Sequence, residues 1–570
     1  MHTSPFVPRR FLPEKIDLTD TAQLAPVFDR LDAGLNRAAS VADLEAWLGE
    51  HSEVCAALAE SSSLHYIAMT CQTDDEAKEK AYMHIVEVVD PWLKPRQFAL
   101  MRKLVASSRF SELPPVYAVF RRSVEAQVEI YREENVARET EVAKLTQQYQ
   151  KISGGMTVQF DGQEQTLARM GRIQEEQDRI RREAAWKTVT ERRLQDADRL
   201  EELFDQLLVL RNEIAHAAGF TDFRAYTFAY YERFDYTPED CLRFHEAVEK
   251  HVVPLARELQ KERQSRLGVD PLRPWDLAVD PDHNPPLRPF TETSELLEKC
   301  QRIFSKLDPR LGDYYAVLRK QELVDLDNRK GKAPGGYQST LAEARVPFIF
   351  MNSVGVHRDV ETMLHEAGHA FHALASREQP LHAYRSAPIE FCEVASMGME
   401  LLAAPHLDLF YSEKDAKRAQ RDHLEGIIKF FPWMATVDAF QHWIYTHPGH
   451  TREERAQYWL SLMDRFGGIE DWSGFEKARA HGWHRQLHIF EIPFYYVEYG
   501  IAQLGALQLW QASRRDLPGA LDHYLQGLSL GGSRPLPELF QAGGLAFDFT
   551  EKTIAPLMGK VKEALLELAA

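Results

Sequence analysis

The sequence predicts a mostly α-helical fold with little sheet, on three observations. Apolar residues recur at three- and four-residue spacing, with charged residues between them, along most of the chain. Two runs, 126–152 and 167–218, are long, charge-rich and nearly free of Gly and Pro, the composition of extended solvated helices. Strand-like runs are short and few. At 570 residues the chain is long enough for two large lobes and for a cleft enclosed by them.

The opening MHTSPFVPRRFLPEKIDL carries two arginines with no apolar run behind them. No later stretch approaches the roughly 18 apolar residues that span a bilayer. A cytoplasmic location without a membrane partner is expected. In GGMTVQFDGQEQTL, Asp161-Gly162 divides two short alternating segments, and a DG pair supplies the left-handed residues of a tight turn. A β-hairpin near 156–167 follows, an ornament on an N-terminal helical lobe placed at 1–200. The larger domain is 201–570. Within it, 264–296 is rich in Pro, Asp and Gly and reads as irregular chain, and 335–352 (GGYQSTLAEARVPFIFMN) reads as a second strand region.

Lys+Arg 68 against Asp+Glu 86 leaves a net charge of −18, which repels a phosphate backbone and excludes nucleic acid as a partner. The five cysteines, Cys55, Cys71, Cys241, Cys300 and Cys392, are scattered and odd in number, so they form neither a disulfide framework nor a CxxC knuckle. Reduced thiols in a core are expected.

Chemistry concentrates at His365-Glu366-Ala367-Gly368-His369. Val360, Met363, Leu364, Ala367, Phe371 and Leu374 form one apolar stripe at 100° per residue, so 358–376 is predicted as an amphipathic helix with His365 and His369 opposite the stripe. Two imidazoles one turn apart chelate a Zn²⁺, and Glu366 beside them takes a proton from metal-bound water. His372 shares that face but lies two turns from His365, too far for the same ion. A third protein ligand is required. The metzincin pattern would need Gly at 372 and His at 375, where this chain has His372 and Ala375. A second helix, within 387–404, presents Glu390, Glu393 and Glu400 on one face; spacing alone leaves Glu390 and Glu393 both open.

HEAGHAFH followed by FCEVASMGME resembles the thimet oligopeptidase and oligoendopeptidase F family of zinc metallopeptidases, in its Pz-peptidase-like branch. RNEIAHAAGFTDFRAYTF, KAPGGYQSTLAEARVPFIFMNSVG and HIFEIPFYYVEYGIAQLGALQLW extend the resemblance over about 200–560. It implies two helical lobes enclosing a deep substrate cleft, a small sheet beside the zinc helix, and 201–570 as the catalytic domain. It also implies a single Zn²⁺ per chain held by His365, His369 and Glu393, with Glu366 as general base and then proton donor, and Glu400 holding a ligand histidine by its second ring nitrogen. In HIFEIPFYYVEYG, Pro493 is placed to open a helix, and the resemblance maps a histidine and tyrosines that face the zinc to His488, Tyr496 and Tyr499, with Tyr495 competing. Such donors would stabilise the oxyanion of peptide hydrolysis.

If RVPFIFMN forms a sheet edge beside the metal, an extended peptide can add to it by main-chain hydrogen bonds. Gly335, Gly336 and Tyr337 then either bring backbone close to substrate or form a plain turn. The expected activity is endopeptidase cleavage of short unfolded oligopeptides. Two rivals are a zinc carboxypeptidase, for which spacing nominates no carboxylate-binding Arg, and a peptide-binding protein with a structural metal, for which Glu366 would have no use.

Overall fold

The computed structural model describes residues 4–329, 331–333 and 335–569. It is mostly helical, with five short strands among the described residues. No helix among them is long and apolar enough to cross a membrane. The chain forms two compact units, each assembled from separate stretches: Met1–Glu129, Leu287–Gln420 and Ile501–Phe547 in the first, Ile130–Pro286, Arg421–Gly500 and Asp548–Ala570 in the second. Neither has an edge near residue 200.

In the first unit, helices Thr21–Arg37, Val41–Cys71 and Asp90–Ala106 bury Leu24, Leu31, Leu44, Trp47 and Leu104 in one core. The Trp47 indole N–H donates to Leu31 O at 2.8 Å, so the ring is buried without losing its polar partner. The same unit holds a three-stranded sheet of β3 (Val324–Asp327), β4 (Tyr337–Leu341) and β5 (Val346–Ser353) in the order β3-β5-β4. The sequence reading of RVPFIFMN as a sheet edge is corrected here: β5 is central, parallel to β3 and antiparallel to β4. Its unbroken apolar run is the physical reason, since a strand covered on both faces has no polar alternation. The edge is β4.

Lys332 fastens this sheet from within. Its ammonium donates to Asp325 O and Asp327 O at the end of β3, to Met351 O on β5, and to Asp325 Oδ1 at 2.8 Å, over the face of Phe350. Against the sheet lies the histidine helix, His357–Ala375, followed by the glutamate helix, Ile389–Ala403.

In the second unit, the hairpin appears as β1 (Thr157–Phe160) and β2 (Gln163–Thr166), with Asp161 and Gly162 both at positive φ. The two charge-rich runs are divided rather than continuous: Ala118–Ile130 and Asn135–Gly154, then Leu167–Ile173, Arg179–Gln195 and Ala197–Ala217. Asp178 accepts from the Ile180 and Arg181 N–H groups and starts the helix after it, a capping signal that the charge pattern hides. The helix Val253–Leu267 runs into the stretch expected to be irregular and ends at Gly268; from there to the helix that begins at Thr293 the chain is irregular apart from a 3₁₀ turn at Pro274–Asp276.

Candidate metal centre and catalytic groups

The histidine helix starts where Asp359 Oδ2 accepts from the Val354 and Val356 N–H groups at 2.8 and 3.0 Å, using up donors that the first turn leaves open. Asp359 is the third residue of the helix, which begins at His357, one residue before the predicted start. From this start the 3.6-residue repeat buries Val360, Met363, Leu364, Ala367 and Phe371, and leaves His365 and His369 partly open on the other face.

The imidazoles of His365 and His369 stand 4.9 Å apart, ring centre to ring centre. Glu393 reaches them from the glutamate helix, with Oε2 3.4 Å from His365 Nε2 and Oε1 3.8 Å from His369 Nε2. One donor atom from each of the three lies within 4.8 Å of the other two. Ser396, one turn on, donates its hydroxyl to Glu393 Oε2 at 3.0 Å and fixes the carboxylate. Glu400 Oε1 is 2.6 Å from His365 Nδ1. Glu400 thereby holds a proton on His365 Nδ1, so that Nε2, on the side of Glu393, is the nitrogen that a metal would take. Glu390 is buried on the same helix but is not part of the cluster, and neither is His372, which is buried near Phe391.

Burial works against charge on His365, but Glu393 and Glu400 outweigh it and raise its pKa well above the usual imidazole value. His369 has no such bond, and burial lowers it to about 4, so its ring is neutral. The Glu393 carboxyl is lowered despite its burial, through His365 and His369. Glu366 is 7 % exposed, and burial pushes its carboxyl up to about 7, with His365 opposing and Glu393 adding to the shift. The Gln338 backbone N–H on β4 faces that carboxyl. The edge strand therefore runs beside Glu366.

A pocket of about 460 Å³ opens here, lined by Gly335, Gly336, Asn352, His365, Glu366 and Glu400 among others. Gly335 has φ +97°, which side-chain-bearing residues avoid, and a Cβ on Gly336 would sit 3.1 Å from Thr362 Cγ2 on the histidine helix. Asn352 Nδ2 donates to Ala333 O and Gly335 O, holding the glycine segment against β5. Tyr337 turns its side chain away from the pocket: its ring stacks on Phe350 and its hydroxyl lies 2.6 Å from Thr70 Oγ1. Only its backbone belongs to the β4 edge.

In the second unit, His488, Tyr495, Tyr496 and Tyr499 form one ring cluster, with His488 4.8 Å from Tyr496 and 6.0 Å from Tyr499, and Tyr495 5.3 Å from Tyr499. The helix begins at Tyr496 rather than at Pro493, which stands in the turn before it. Phe494 in that turn has φ +68°, held by Gln441, which accepts its N–H at 2.8 Å, and by the buried Arg233, which bonds Phe494 O and Glu498. The Gln486 side-chain amide meets His488 Nδ1 at 2.6 Å, and burial lowers His488 to about 4. Tyr496 is pushed up to about 12 by burial and keeps its proton.

Two family models match the chain: Peptidase family M3 over residues 172–557 and the peptidase M3 N-terminal domain over 11–131. The second takes the likeness into the N-terminal stretch, where motifs are absent. Among curated proteins, oligopeptidase PepF of Bacillus subtilis is 26% identical over 306 residues, 52% of this chain and 44% of its own length. Group B oligopeptidase PepB of Streptococcus agalactiae is 23% identical over 318 residues, 54% of this chain and 51% of its own. The chain spans about half the length of these curated relatives. Among solved structures, Pz peptidase A with an inhibitor superposes with a TM-score of 0.89 at 30% identity, over 98% of this chain and 99% of that one. With the first of the family models covering more than half of its residues, the chain belongs to Peptidase family M3.

Proposed function

We propose that the chain is a zinc-dependent endopeptidase that hydrolyses internal bonds of short unfolded oligopeptides. The observation that carries this reading is the convergence of His365, His369 and Glu393 beside a buried, unligated Glu366. Two imidazole nitrogens and a carboxylate suit Zn²⁺, and three protein donors leave a position open. Zinc held there supplies Lewis acidity to the scissile carbonyl and acidifies water.

The remaining work falls to the chain. Glu366, whose carboxyl titrates near neutrality, takes a proton from the attacking water and returns it to the leaving amine. Glu400 keeps the His365 tautomer fixed. The β4 edge with Gly335 and Gly336 holds an extended peptide by its main chain, which leaves side-chain choice to the pockets. By the family resemblance, Tyr499, Tyr496 and His488 donate to the oxyanion; the protonated Tyr496 phenol and the neutral His488 ring are in states that permit it. A cytoplasmic location is part of the same proposal.

The test is mass spectrometry of products from peptides blocked at both termini, with and without chelator. Internal cleavage that chelation abolishes and Zn²⁺ restores is expected, with at least about a 10²-fold loss of turnover in Glu366→Gln at unchanged zinc content. Cleavage confined to peptides with a free C-terminus would replace this reading by the carboxypeptidase one.

A further inference from the structure

The second unit contains another set of metal-ligand side chains, built from two facing helices. Cys241 and His245 are one turn apart on the helix Pro238–His251, and Asp438 and His442 are one turn apart on the helix Glu413–Thr446. All four are buried, none more than 3 % exposed. Donor atoms of Cys241, Asp438 and His442 lie within 4.8 Å of one another. A tetrahedral zinc with a bond of about 2.3 Å to sulfur and about 2.0 Å to nitrogen needs its donors roughly 3.5 Å apart, which small side-chain adjustments reach.

Asp438 and His442 each keep an unsatisfied atom in this cluster. His245 Nε2 is 2.8 Å from Asp438 Oδ2 and accounts for that oxygen. Asp438 Oδ1 and His442 Nε2 are both buried with no hydrogen-bond partner, and the 3.2 Å approach of His442 Nε2 to Asp438 Oδ2 does not make a hydrogen bond. The other His442 nitrogen, Nδ1, meets Arg224 Nη1 only at 3.5 Å, too long to fix the tautomer. Orphaned polar atoms on two ligand-type side chains in a buried cluster call for an ion or another group to satisfy them. A divalent cation would satisfy both, and with a thiolate and a carboxylate as ligands the site would be neutral inside the core.

We infer that Cys241, Asp438 and His442 bind a second, structural Zn²⁺, with His245 aiming Asp438 through its ring N–H. The ion would bolt the helix Pro238–His251 to the helix Glu413–Thr446. This inference does not depend on the metal set of His365, His369 and Glu393, because that set has no sulfur.

The difference in donors also gives the experiment. Full-length protein, stripped by chelator under reducing conditions, is titrated with Co²⁺ and followed by absorption, and zinc in the protein as purified is counted by mass spectrometry. A near-ultraviolet thiolate-to-cobalt charge-transfer band is expected, with zinc content one equivalent per chain lower in Cys241→Ser than in the wild type, whatever the His365, His369 and Glu393 set holds. No band in the folded wild type overturns the inference, and so does a band that survives Cys241→Ser, since it would come from another thiol. If Cys241→Ser fails to fold, zinc-edge X-ray absorption on the unaltered protein decides: a sulfur shell supports the site and its absence overturns it.

Discussion

Gly368 and Ala395 touch backbone to backbone: a Cβ on Gly368 would lie 2.4 Å from Ala395 O and 2.5 Å from Ser396 Cα. This contact lets the glutamate helix come close enough for Glu393 to reach both histidines. Ala395 O is held from its other side by the Tyr524 hydroxyl at 2.7 Å, so it cannot retreat freely. Gly368→Ala should therefore part the two helices, lowering stability by about 1–3 kcal/mol and weakening zinc binding with it. Thermal unfolding and a competitive zinc titration check this. An unchanged affinity would show that the helix spacing does not set the site.

Glu400→Ala removes the carboxylate from His365 Nδ1 without touching a proposed ligand. Zinc affinity should fall about 10–100-fold, with turnover recovering in excess zinc. Affinity equal to that of the wild type would make Glu400 an ordinary helix-surface acid.

Lys332→Met deletes a fully buried ammonium and strands the three carbonyl oxygens and the Asp325 carboxylate that it serves. A loss of at least about 2 kcal/mol in denaturant unfolding is expected. Because residues 335 and 336 hang from the same strands, KM for peptides should rise as well. A stable variant with normal KM would contradict the fastening role.

His372 is buried, and burial lowers it to about 3, against an ordinary value of 6.5. Between those values the unfolded chain binds a proton that the folded chain excludes, so its contribution to stability is complete above pH 6.5 and is lost as pH falls toward 3. The slope from this residue is about 1.4 kcal/mol per pH unit at most. His372→Phe should flatten the acid side of the stability profile relative to wild type, as read by urea midpoints at several pH values. Parallel profiles would mean that His372 is protonated in the native state.

Tyr499→Phe should lower kcat by about 10²-fold or more with little change in KM, the pattern of a contact made mainly in the transition state. An unaltered kcat would return Tyr499 to a packing role.

What the sequence revealed, and what it did not, divides by the range of the interaction. The two metal-site helices were readable because each obeys a 3.6-residue repeat within itself, and the Asp161-Gly162 hairpin because its turn chemistry is local. Choosing Glu393 over Glu390 required the family resemblance, since both acids sit on one helix face and only the approach of the histidine helix distinguishes them. The buried Lys332 carries no local signature: a lysine between glycines and prolines reads as loop until three carbonyl oxygens from two strands converge on it. The pairing of Cys241 with Asp438 was equally out of reach, being set by how two distant helices face each other. The central position of β5 was legible in its continuous apolar run, and reading that run as an edge missed it.

The stretches of the two units alternate along the chain, and this constrains how the protein can be made. Emerging from a ribosome, the first unit has its histidine and glutamate helices in hand long before residues 501–547 arrive, among them the Tyr524 whose hydroxyl secures Ala395. The second unit likewise waits for 548–570. Folding each unit from one continuous stretch during synthesis is closed to this topology, and apolar surface of the two units stays uncovered until residues 501–547 and 548–570 have been made. Truncation within 501–547 should thus harm both units at once, whereas removal of 548–570 alone takes chain from the second unit only, and newly made chains should depend on chaperones more than their helical content suggests.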